Sequence, residues 1–194
     1  MLIRLSGAAG VAAGAVMLSG FVANIGGVVD LDPTLNLYRI LTFYLLALAG
    51  LVGIHLRQVS VRPGLAWFGF AAALPGITLG GFAATLAAAG MPESPFARGE
   101  FVFVAGVALW VGSAILGATM LAIRAFPMPV GLALTIASPL ALIGLELHDP
   151  ATAFGIPSGL SQVGLVLYGL AWIGAGISLL SAQRGGETLA SSAR

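Results

Sequence analysis

The sequence predicts an all-α, polytopic integral membrane protein, a bundle of six transmembrane helices in a single domain. Three observations carry that expectation. Of the 194 residues, 59% are hydrophobic and only 8% are charged, against about a quarter charged in a soluble domain. Mean hydropathy is +1.05. The apolar residues gather into six runs, each close to the roughly 20 residues that a helix needs to cross a core about 30 Å thick. These runs are continuous rather than alternating at period two, which selects helices over barrel strands. The same composition excludes a water-soluble globule, a disordered chain and a nucleic-acid binder.

The first run, Leu5–Val29, follows Arg4 and has the outline of a secretory signal. It is longer than the 7–15-residue apolar core of such a signal and offers no clean small-x-small cleavage site, so it reads as a retained helix. The connection Asp30–Asn36 leads to Leu37–Leu56, and the compact turn Arg57–Gly64 leads to Leu65–Ala89, which contains Pro75. Gly90–Glu100 separates that run from Phe101–Ile123, and the basic turn Arg124–Pro129 precedes Val130–Leu147. This fifth run is the shortest and contains Pro139. His148–Gly159 then leads to the sixth, Leu160–Ala182. The small, polar stretch Gln183–Arg194 is expected to be a disordered cytoplasmic tail, leaving residues 1–182 as the transmembrane domain.

Arginine placement orients the chain. With the N-terminus inside, Arg4, Arg57, Arg62, Arg124, Arg184 and Arg194 all fall on the inner face, and only Arg39 and Arg98 fall outside. By the positive-inside rule that bias predicts an N-in, C-in topology. All eight basic residues are Arg, as a GC-rich genome favours, and the expected location is the bacterial cytoplasmic (inner) membrane.

A weak internal repeat accompanies the runs. Trp110-Val111-Gly112 in the fourth run matches Trp172-Ile173-Gly174 in the sixth, and each is followed by an inner-face Arg. Pro75 precedes Gly80 as Pro139 precedes Gly144. The pattern fits three helical hairpins in one orientation. Of the 28 glycines, 21 sit within the runs, and Gly10/Gly14, Gly76/Gly80 and Ala108/Gly112 share faces at spacing four. Small residues let helices approach in lipid, so these faces are expected to pack against helices of this chain, a partner subunit, a second copy or lipid.

Candidate chemistry is sparse. The chain has no cysteine, which removes thiolate catalysis, iron–sulfur clusters and Cys-type zinc sites. Every Asp, Glu, Arg and His falls near a run end, whereas charge-moving transporters place such groups at mid-depth. His55 and His148 belong to opposite ends, so bis-His haem within one chain is excluded and no cofactor is expected. Thr42, Thr78, Thr85, Ser113, Thr119, Thr135 and Ser138 are expected to bond their own helix backbones.

Glu146, His148 and Asp149 form the densest polar group and are the candidate metal or acid–base residues, with a solvated helix end before Pro150 as the plainer reading. Trp110 and Trp172, near mid-depth, are candidate walls of an apolar ligand pocket or else rings filling the space beside their own glycines. Asn24, Pro75 and Pro139 complete the candidate ligand set, because a buried amide needs partners and bent helices mark sites in transporters. His55 reads as interfacial, and Arg39 as an ion-pair partner of Asp30 or Asp32.

The leading functional expectation is non-catalytic: a helix-packing module that binds lipid, an apolar small molecule or a membrane partner subunit. The alternative is a small permease for a neutral or amphiphilic solute, gated around Pro75 and Pro139. A metal-dependent membrane enzyme using the outer acidic group stands third.

Overall fold

The computed structural model describes residues 1–25, 32–97, 99–145 and 160–192, without the side chains of 21–25, 144, 145, 161 and 182–192. Six helices account for nearly all of it: α1 (Leu2–Ile25), α2 (Pro33–Val59), α3 (Pro63–Ala88), α4 (Gly99–Ile123), α5 (Met128–Leu145) and α6 (Leu160–Ser192). One 3-10 turn, Pro95–Ala97, lies between α3 and α4. The helical bundle expected from the apolar runs is present. Among the described residues five stretches are long and apolar enough to cross a membrane, and α5, apolar over Met128–Ile143, is the shorter one. Its 18 residues span about 27 Å at 1.5 Å per residue. The helix of α6 continues to Ser192, past the apolar run and into the stretch read as a polar tail.

Local chemistry explains the helix ends. Asp32 caps α2, its carboxylate accepting the Thr34 N–H at 2.7 Å, and Pro33 occupies the first turn, where no N–H is needed. These backbone and hydroxyl donations from Thr34 hold the Asp32 carboxyl below its usual range. Pro63 opens α3 in the same way. After α3 the chain turns through Gly90 at φ 77°, and α4 starts from Gly99 at φ 54°. Arg124 ends α4 at φ 58° without being a glycine, a conformation that costs a side-chain-bearing residue about 1–2 kcal/mol.

Neither internal proline interrupts its helix. Both α3 and α5 run on through Pro75 and Pro139. Near Pro75, Thr78 Oγ1 donates to the Leu74 carbonyl at 2.9 Å. Thr42, Thr85, Thr119, Thr135 and Ser138 likewise bond carbonyls three or four residues back, which satisfies hydroxyls that lipid cannot.

Each helix packs against its predecessor and α6 returns against α1, closing a ring, while α2 and α6 also meet. Neighbours are antiparallel: Gly7 lies beside Leu180, and Gly14 beside Gly169. The starts of α1, α3 and α5 therefore share one end with the close of α2, α4 and α6. Arg4, Arg57, Arg62 and Arg124 all lie at that end, with both ends of the chain's helical path.

Glycine makes the close approaches possible. A Cβ on Gly14 would collide with the Gly169 carbonyl and Ile173, one on Gly76 with the Leu109 backbone, and one on Gly112 with the Ala72 carbonyl. A glycine of each even helix abuts the odd helix before it: Gly53 on Ser6, Gly112 on Ala72, Gly174 on Val130. The small-residue faces are thus used inside the bundle. Outward, Leu45, Phe68, Phe82, Val104, Ile136 and Leu170 are exposed, a surface suited to hydrocarbon.

Candidate functional site

Five aromatic rings meet in the core, all from even helices. Tyr168 of α6 is fully buried. The Trp110 ring of α4 stands edge-on to it at 5.0 Å. Trp172, one turn along α6, is 6.3 Å away. On α2, Phe43 lies 6.2 Å from Tyr168 and 5.4 Å from Tyr44. Edge-to-face contacts of this kind contribute about 0.5–1.5 kcal/mol per pair beyond burial.

The Tyr168 hydroxyl lies 2.9 Å from Ser113 Oγ, joining α6 to α4 across the core. Ser113 was expected to serve its own backbone; instead its partner is Tyr168 on another helix. The indole N–H of Trp110 has no partner among the described residues, and that of Trp172 is directed toward the Tyr168 hydroxyl without closing a full hydrogen bond. Trp172 does not fill space beside its own glycines. Its ring lies over Gly50 of α2, where a Cβ would fall 2.9 Å from it. Gly174 and Gly176 serve contacts to Val130 and to Gly7 and Val11.

Toward the end opposite the arginines, a cavity of about 210 Å³ opens between α2, α3 and α4. Leu37, Ile40, Ala84, Ala87 and Val102 form walls, and Tyr44 meets Gly80 among them. Gly106, one turn before Trp110, also lines the cavity, so the space borders the aromatic core. Except at Tyr44 its lining side chains are aliphatic or absent, so hydrocarbon is what it can hold.

Of the candidate ligand residues, Trp110 and Trp172 come together around Tyr168, while Pro75 and Pro139 are exposed on the outer surface, away from the core rings. The Asn24 side chain, and Glu146, His148 and Asp149 entirely, lie outside the described residues. Among the described residues, no three His, Asp or Glu side chains group as metal ligands.

At the arginine end His55 is buried within the bundle, 8% exposed, with its ring 4.4 Å from Trp67 and 4.5 Å from Phe70. Arg39 donates to Asn36 Oδ1 through Nε at 3.2 Å and Nη2 at 2.6 Å, and its guanidinium lies against Gly20, while Asp32 is engaged by Thr34. Asp30 lies outside the described residues. Trp67 and Tyr38 are exposed.

Tyr168 and Gln58 were not anticipated. Tyr168 had a signal, since a tyrosine inside an apolar run needs a hydroxyl partner. Gln58 sits in the last turn of α2, fully buried, with neither amide atom partnered among the described residues. Compared with protein families, curated proteins and solved structures, the chain matches none.

Proposed function

We propose that the protein is a non-catalytic membrane bundle whose role is to hold a small apolar molecule, or the end of an acyl chain, between α2, α3 and α4. The observation that carries this reading is the 210 Å³ cavity with aliphatic walls beside the Trp110–Tyr168 cluster. Two further features support it. The glycine faces that a partner subunit would need are occupied within the bundle. Pro75 and Pro139, on which solute gating was to rest, are exposed. In this reading the protein resides in a bacterial cytoplasmic membrane with its Arg-rich end inside.

The test uses bromobenzene as the probe in detergent-solubilised protein carrying Trp67→Phe, so that Trp110 and Trp172 report. Fluorescence should be quenched saturably as bromobenzene is added. Val102→Phe or Ala87→Leu should fill the cavity and abolish the saturable component while thermal stability holds. Quenching that rises linearly, or that persists in both filled variants, would overturn the proposal.

A further inference from the structure

We propose that the Arg-rich end carries a second, separate site, for one anionic phospholipid, with the phosphate on Arg124 and an acyl chain between α4 and α5. The cavity there is the larger, about 460 Å³, and is lined by Met120, Leu121, Arg124, Phe126, Met128 and Leu132. Five apolar side chains and one guanidinium make it amphiphilic, the chemistry of a lipid rather than of a free ion. Two methionines give walls that adapt to a flexible chain.

The arginine is chosen against local preference. Arg124 sits at φ 58°, where glycine is the default at a helix C-terminus. Its side chain is exposed and is engaged by no partner among the described residues. Its backbone N–H closes α4 on the Met120 carbonyl at 2.9 Å, a bond that glycine would make equally well. The guanidinium is therefore not needed for the turn. Strain retained at such a position points to use of the side chain.

Phe126, the aromatic wall, is braced from behind. The Arg57 guanidinium lies 4.7 Å from its ring centroid and donates to the Ser178 carbonyl of α6. This cation–π contact fixes the wall without entering the cavity. Arg4 and Arg62 stand at the same end, and of the acidic residues in the described stretches Asp32, Glu93 and Glu100 lie at the opposite one, with Glu187 alone in the α6 extension at this end. Charge complementarity thus favours an anionic headgroup.

The test offers the purified full chain an equimolar mixture of phosphatidylglycerol and phosphatidylcholine with identical chains and counts retained lipid by native mass spectrometry. One arginine near a charged headgroup corresponds to about fivefold enrichment of phosphatidylglycerol. Arg124→Gln should bring the ratio to about one, and Leu132→Trp, on the cavity wall, should cut retention of both lipids. Millimolar inorganic phosphate should not displace phosphatidylglycerol, since it lacks the chain. Arg124→Gly should melt no lower than the parent yet lose the preference, which a merely structural arginine would not show. Equal retention of the two lipids, enrichment that survives Arg124→Gln, or displacement by phosphate alone would each overturn the proposal. Val102→Phe, which fills the opposite cavity, should leave the ratio unchanged, so the two sites fail independently.

Discussion

Gln58 is completely buried in the last turn of α2, on the face that carries Leu51 and Ile54 into the core. Its backbone is satisfied, since its carbonyl accepts from Val61 and Arg62. Its side-chain Nε2 and Oε1 are both without partners among the described residues. An unpaired buried amide costs about 1–3 kcal/mol by mutational measures. Gln58→Met replaces that amide by an apolar chain of similar length, so no cavity adds to the balance. The bundle should therefore gain about 1–3 kcal/mol, which is roughly 5- to 150-fold in the folding equilibrium. The assay is reversible unfolding in mixed detergent micelles with increasing dodecyl sulfate, read by tryptophan fluorescence, with all variants in one detergent. If Gln58→Met is less stable than the parent, the amide is satisfied by bound water or a ligand, and the reasoning from unpaired atoms is wrong.

Other substitutions test the packing. Ser113→Ala should cost about 1–2 kcal/mol by orphaning the Tyr168 hydroxyl, while the added change Tyr168→Phe should recover part of it, a non-additivity that a double-mutant cycle would read. Gly112→Leu drives a side chain into the Ala72 carbonyl and should cost about 3 kcal/mol or prevent folding, whereas Gly64→Ala, with nothing within 4 Å, should be neutral or stabilising in the same unfolding assay. Asp32→Ala should lower the melting temperature at neutral pH. Because the native carboxyl lies below its ordinary 3.8, the gap from the parent should hold above that value and close as pH falls through the lowered native one.

Much of the architecture is legible in composition and punctuation. Apolar runs of membrane length, punctuated by Pro63, Gly90 and Arg124, mark the helices, because a backbone in hydrocarbon must satisfy its own hydrogen bonds, although α2 begins at Pro33, ahead of the run read from Leu37. The same rule made the threonines of α2, α3, α4 and α5 predictable. It also assigned glycine faces to close packing, although which helix each would meet was not readable.

Facing was decided by the tertiary structure alone. Helices α3 and α4 are apolar on every side, so hydrophobic periodicity does not distinguish core from lipid, and Pro75 and Pro139 proved to point outward while Trp110 and Trp172 turned in. In water, burial of apolar surface would have marked the inner face. Between lipid and protein interior that difference nearly vanishes, and the choice passes to shape: Gly10, Gly50 and Gly112 admit a ring or a backbone where any larger residue would hold the helices apart. The Ser113–Tyr168 bond, the burial of His55 and Gln58, and both cavities follow from those approaches, which exist only once all six helices have closed their ring.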